Sequence, residues 1–178
     1  MMDAALPIAV AFIAAREGFR SEPYRDQGGT WTIGYGFTVT EDGQHVAADT
    51  PLVTQEAAYA RLEVLVSRVL GLVRGMVEVP ISNNQAAALT SFAYNLGTNS
   101  VRTSTLLRLL NQGELMNAAQ QFGAWVYCDG KVDDGLVNRR MLEEALFLEG
   151  DDAPATVPPA ASESDRLNAA ELTTLAKE

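Results

Sequence analysis

Two acids, Glu17 and Asp26, stand out by their company. Glu17 closes the apolar run Ala4 to Ala15 (AALPIAVAFIAA) after Arg16, whereas Asp26 sits among Gly28, Gly29, Thr30 and Thr32. A carboxyl at the end of an apolar helix has a drier setting than one on a polar hairpin. Such a pair can hold one acid protonated and the other ionised. Acid-catalysed cleavage of a glycosidic bond needs two carboxyls in those two states, one on each side of the bond. Spacing alone leaves a plainer alternative open, a solvated charge at a helix end and an aspartate that forms a turn.

Other chemistries find less support. His45 is the only histidine and lies in a polar loop, where a solvated side chain is expected. Cys128 is the only cysteine, so no internal disulfide can form. It has no histidine nearby in sequence and reads as a packed or idle thiol. With no His/Cys cluster, neither a metal site nor a cofactor is expected. Ser100 to Ser104 offers hydroxyls without a base. Gly34-Tyr35-Gly36 is not followed by Lys-Ser/Thr and is no phosphate loop. Trp31 and Trp125 are candidates for stacking on sugar rings or for packing, and Trp125 is assigned to the core.

The elements that must position the two acids follow from local patterns. A first helix is expected over about Pro7 to Arg16, with Pro7 in its first turn. Residues 22–38 read as a small β-hairpin or meander, with Gly28-Gly29 as a turn signal. Asp42-Gly43 marks a second turn in the loop from Thr38 to Thr50. Thr50-Pro51 opens a long helix, Thr50 as N-cap, with apolar residues at Leu52, Ala58, Leu62, Leu65, Val66, Val69 and Val73. Ser82 and Gln85 match a capping box for a helix reaching Leu96, with Gly97 beyond its end. Further helical runs are expected at 103–111, 114–126 and 136–148. After Gly150 the composition turns Pro-, Ala- and acid-rich and reads as linker, with one short helix over Leu167 to Lys177. The expected fold class is α+β, mostly helical, with one small sheet near the N-terminus.

Charge narrows the partners. The 178 residues carry 23 acids and 13 bases, a formal charge of -10. The six acids and two bases after Gly150 hold -4 of this, leaving -6 on the rest. Lys131 and Lys177 are the only lysines and no window is a basic block. Nucleic-acid binding and docking on an anionic membrane are therefore not expected. The apolar N-terminal run is too short to span a bilayer and is preceded by Asp3, so a buried helix is preferred to a signal segment.

A longer string settles what spacing leaves open. Glu17-Gly18, Tyr24, Asp26, Gly29 and the run Thr32-Ile33-Gly34-Tyr35-Gly36, with Thr38, resemble the phage-type lysozymes, glycoside hydrolase family 24. That family's triad is Glu, eight residues, Asp, five residues, Thr. Glu17, Asp26 and Thr32 fit it without a gap. The stretch Asn84 to Gly97 resembles the family's central helix and Ser104 to Arg108 the helix after it. Phe122, Trp125, Gly135 to Arg140 and Glu144 resemble its C-terminal lobe. The likeness covers about residues 6–149. One departure is Phe37, where many members have His.

The resemblance implies a two-lobed lysozyme-like fold over residues 1–150. Its N-lobe would take about 18–50, a connecting helix would start near 51, and a helical C-lobe would take about 75–150. It implies a muramidase that cuts the β-1,4 bond between N-acetylmuramic acid and N-acetylglucosamine in peptidoglycan. Glu17 is then the general acid, Asp26 and Thr32 hold the attacking water, and Arg139 pairs with Glu17. Tyr94 and Asn95, with Trp31, contact the glycan. The implied setting is a phage or prophage endolysin, monomeric and not membrane-inserted. It would be made in the host cytoplasm and reach the wall by a holin-type route. Two alternatives remain at this point: a lytic transglycosylase on the same bond, and a non-catalytic wall-binding module.

Overall fold

The first helix is apolar around most of its circumference, which marks a helix that is surrounded. In the computed structural model, which describes residues 3–26, 28–128 and 130–150, helix α1 spans Ala5–Glu17 and buries Ala5, Leu6, Ala9, Val10, Phe12, Ile13, Arg16 and Glu17. It packs against α2 (Gln55–Arg74) and α3 (Asn83–Leu96). Gly18, at φ +67°, ends it in a conformation that costs other residues a Cβ clash. The turn out of α1 therefore falls directly after Glu17.

Two antiparallel strands follow, β1 (Arg20–Arg25) and β2 (Trp31–Gly34). Their register pairs Tyr24 with Thr32 and Arg25 with Trp31, with an irregularity between Arg20 and Tyr24. The expected hairpin is thus present. The long helix begins later than expected, at Gln55. Its cap is Thr54, whose side chain accepts from the Ala57 N–H, while Thr50 instead accepts from the Ala47 N–H. The reason is non-local. Val53 donates its N–H to the Ser21 carbonyl, tying the residue before Thr54 to β1.

The Ser82–Gln85 capping box forms with both of its reciprocal hydrogen bonds, and Gly97 closes α3 at φ +85°. Helix α3 is buried on nearly every side, and Ala86, Ala87 and Ala88 let its neighbours come close. Helices α4 (Thr98–Arg102) and α7 (Asp134–Leu148) pack on it, and α5 (Thr105–Asn111) and α6 (Leu115–Gln120) pack on each other beyond them. The expected run 114–126 is broken: α6 stops at Gln120 and a 3-10 turn takes Gln121–Ala124. A second small hairpin, β3 (Tyr127–Cys128) with β4 (Lys131–Val132), was not expected. Its two-residue strands are too short to show an alternating pattern. Cys128 lies on it exposed, not packed.

Helix α2 serves both ends of the molecule. Its first half meets the hairpin side: Tyr59 touches the Tyr35 ring edge-on, and the Arg61 guanidinium lies 4.4 Å over Phe37. Its last turn meets the start of α1, where Arg74 binds Asp3 through two hydrogen bonds of 3.1 and 3.2 Å. The described residues form a mostly helical fold with one small sheet beside α1, as expected, its core running along α1, α2 and α3 and continuing to Phe122 and Phe147. Among the described residues no helix is long and apolar enough to cross a membrane. The expected linker and tail after Gly150 fall outside the described residues.

Candidate active site

Glu17 is the last helical residue of α1 and only 4% exposed. The reading of a solvated helix-end charge does not hold. Its Oε1 accepts from Arg139 Nη1 at 2.9 Å. Arg139 stands on α7, 122 residues away, and is itself fully buried. Burial pulls the guanidinium toward the neutral form, but the Glu17 and Glu143 carboxylates outweigh it and hold Arg139 charged.

The pair belongs to a larger buried network. Arg139 Nε donates to Glu143 Oε1 at 3.3 Å. Arg140 meets Glu143 Oε2 at 2.9 Å and donates from Nη2 to Asn95 Oδ1 at 2.7 Å. Ser91 Oγ, on α3, donates to Glu143 Oε1 at 2.7 Å. The sequence reading missed Glu143, Arg140 and Ser91. A signal was present: Glu143 follows Arg139 by four residues and Arg140 by three, on a helix whose buried face also carries Leu136, Leu146 and Phe147.

Asp26 has the opposite setting. It is half-buried in the β1–β2 turn. Its Oδ1 accepts from the Thr30 N–H at 2.7 Å, its own N–H donates to the Thr30 carbonyl at 2.9 Å, and its carbonyl accepts from Gly29. Thr32, 2% exposed on β2, donates from Oγ1 to the same Thr30 carbonyl at 3.1 Å. One backbone unit, Thr30, therefore ties both side chains to the turn. Local hydrogen bonds of this kind fix a carboxylate without removing it from water.

The other expected site residues are distributed unevenly. Trp31 is half-buried beside the turn, with the Arg25 guanidinium 4.7 Å over its ring. Tyr94 and Asn95 lie on α3 and are each 3% exposed. Both are as buried as Glu17 and Thr32, and Asn95 accepts from Arg140 through Oδ1. Burial, and then the charge of Glu17, push the Tyr94 phenol above its usual range, so it stays protonated. Trp125 packs edge-on against Phe92, in line with the core assignment. His45 is exposed. Phe37 is 5% exposed and paired to Ile33 through both backbone hydrogen bonds, so the hairpin side packs fully without the histidine. Among the described residues no group of three His, Cys, Asp or Glu could hold a metal ion.

A buried acid paired to arginine, followed nine residues on by a wetter aspartate held with a threonine on a two-stranded hairpin, is the equipment of a glycoside hydrolase of the lysozyme type. Comparison agrees at each level. Residues 14–143 match the family model described as phage lysozyme. An endolysin of Acyrthosiphon pisum secondary endosymbiont phage 1 is 35% identical over 142 residues, covering 78% of this chain and 93% of the relative. A SAR-endolysin of Bacteriophage PS119 is 36% identical over 134 residues, covering 75% and 77%. Among solved structures, an endolysin from Escherichia coli O157:H7 phage FAHEc1 superposes with a TM-score of 0.75 at 29% identity, covering 84% and 94% of the two chains. The muramidase domain of SpmX from Asticaccaulis excentricus gives 0.68 at 32%, covering 80% and 95%. The chain belongs to the phage lysozyme family and is a peptidoglycan-hydrolysing muramidase.

Proposed function

We propose that the chain cuts the β-1,4 bond between N-acetylmuramic acid and N-acetylglucosamine with inversion at the anomeric carbon. Glu17 protonates the leaving oxygen. Asp26 and Thr32 hold a water on the opposite face of the sugar, and Asp26 takes its proton as it attacks. Arg139 orients the Glu17 carboxyl. Trp31, Tyr94 and Asn95 contact the glycan, with Asn95 held in place by Arg140.

The observation that carries this reading is the unequal burial of the two acids. Glu17 is 4% exposed and Asp26 is half-exposed on a turn. A dry carboxyl keeps its proton more readily, and a wet one stays ionised. Asp26 accepts one hydrogen bond through Oδ1, and among the described residues nothing donates to Oδ2.

The enzyme acts as a monomer in host lysis. It is made in the host cytoplasm and reaches the wall by a holin-type route. Glu17→Gln keeps the side-chain shape but cannot donate the proton. It is expected to melt near the parent and to leave a suspension of purified peptidoglycan turbid. Parent-like clearing by that variant refutes the assignment. Mass spectrometry of the parent's products is expected to show reducing ends; 1,6-anhydro ends would identify a transglycosylase instead.

A further inference from the structure

Among the described residues only two acids are buried, Glu17 and Glu143. The proposed reaction uses the first and gives the second no task. Glu143 is fully buried on α7, yet a carboxylate is costly to bury and is kept only where it is well bonded. It is well bonded here, by Ser91, Arg139 and Arg140. Its bond to Arg139 matters most, because the same guanidinium binds Glu17 through Nη1. Arg139 is thus divided between two carboxylates.

The division answers a conflict within the reading of Glu17 as the acid, on which this inference rests. A guanidinium nitrogen 2.9 Å from one carboxyl oxygen fixes that carboxyl's direction through a charge-assisted hydrogen bond. The same cation favours the ionised carboxyl and so opposes a group that must arrive protonated. A second carboxylate on the same guanidinium acts in the opposite direction. We infer that Glu143 is a positioning residue that shares Arg139 with Glu17, so that Arg139 orients the acid without stripping its proton. Arg140 acts on Glu143 in turn: its Nε lies 2.9 Å from Oε2, and its Nη2 donates at 3.3 Å to Oε1, the oxygen that Arg139 also uses.

The remaining charged or titratable groups near Glu17 do not perform this task. Arg16 precedes it on α1 and adds positive charge. On α3, Tyr94 stays neutral and feels the charges of Glu17, Arg139 and Arg61 of α2. Asp26 sits in the hairpin turn, bound to Thr30. Glu143 is the only described acid hydrogen-bonded to the guanidinium that Glu17 uses.

The test is the pH dependence of kcat and KM in the full chain on soluble peptidoglycan fragments. On the alkaline limb, kcat falls as the acid loses its proton. Glu143→Gln keeps the shape and removes the charge. It is expected to move that limb to lower pH by about one unit, a roughly tenfold loss at a fixed pH on the limb, with KM unchanged. Glu143→Asp keeps the charge and shortens the side chain; it is expected to lower the melting temperature and leave the limb in place. Arg140→Gln frees Glu143 to act wholly on Arg139, and the limb is expected to move to higher pH. That variant carries the test should Glu143→Gln not fold. An unmoved limb in Glu143→Gln, an equal shift in the Gln and Asp variants, or no upward shift in Arg140→Gln overturns the inference. Parent-like turnover by Glu17→Gln would instead overturn the reading beneath it.

Discussion

Gly34 closes β2 at φ +66°, two residues after Thr32. A Cβ placed on it would lie 2.9 Å from both Cδ2 and Cε2 of Phe37 and 3.4 Å from the Ala58 Cβ. The ring has little room to yield. Phe37 is 5% exposed, held to Ile33 by hydrogen bonds of 2.8 and 2.9 Å, and stacked with Arg61. Gly34→Ala therefore meets two penalties. Left-handed backbone costs an alanine about 1–2 kcal/mol. Forcing a methyl into packed side chains costs about 1–3 kcal/mol more. The sum, about 2–5 kcal/mol, corresponds to a fall in melting temperature of roughly 6–15 °C for a domain of this size. Thermal denaturation followed by circular dichroism measures it, and loss of peptidoglycan clearing reports whether Thr32 has moved with the strand. Repeating the substitution in a Phe37→Leu background separates the penalties. Without the ring only the backbone cost remains, so the two substitutions should couple by about 1–3 kcal/mol. A melting temperature within about 1 °C of the parent would refute the reasoning outright, since either penalty alone exceeds that. An equal loss in both backgrounds would refute the packing half and keep the backbone half.

Two further outcomes concern pH. Two hydrogen bonds from Arg74 hold the Asp3 carboxyl below the usual carboxylate range. Its contribution is present above that range and lost as pH falls through the lowered value. Because both side chains are about one-third exposed, Asp3→Asn should cost only about 0.5 kcal/mol in neutral urea denaturation, and the gap should close in acid; a gap that persists there refutes the linkage. Tyr94 has the opposite sign, burial and then Glu17 raising its phenol. The folded chain keeps a proton that the unfolded chain releases above pH 10, so stability falls there by up to about 1.4 kcal/mol per pH unit. Tyr94→Phe lacks this loss, and its denaturation midpoint should gain on the parent as pH rises past 10; parallel curves would refute it.

The parts of the fold legible in the sequence are those decided within a few residues. The Ser82–Gln85 box satisfies its own donors, and Gly97 stops the same helix, so both ends of α3 could be read locally. Glu17, Asp26 and Thr32 share one short string and are equally legible. The start of α2 is not. Thr50-Pro51 and Thr54 are both competent caps, and a hydrogen bond from Val53 to Ser21, 32 residues back, selects the second. The drier setting of Glu17 was legible in the apolar run it closes, but what pairs with it there was not readable locally. Apolar residues all round α1 leave no face marked as open, and the partner that allows a carboxyl to be buried there arrives from α7. Tyr94 and Asn95 were expected at the glycan because of the motif that contains them. Helix α3 is enclosed by α1, α2 and α7, so how buried they are, which matches the burial of Glu17 and Thr32, was not legible locally.

The two halves of the proposed chemistry therefore depend on different parts of the fold. The water-holding half is local. Asp26, Thr30 and Thr32 span seven residues and are tied by their own turn, needing only the hairpin. The acid half is assembled from a distance. Glu17 gains its dry setting and its guanidinium only when α7 docks on α3 and brings Arg139 across to the end of α1. Ser91 and Asn95 on α3 meet Glu143 and Arg140 on α7 through buried hydrogen bonds, each costly to break without its partner. Docking and acid placement thus share the same bonds. A substitution that loosens α7 should remove the acid before it disturbs the hairpin, whereas one in the hairpin turn should leave the buried pair intact. The general acid is consequently a product of the helical half of the molecule, although the residue that carries it stands at the entrance to the β-hairpin.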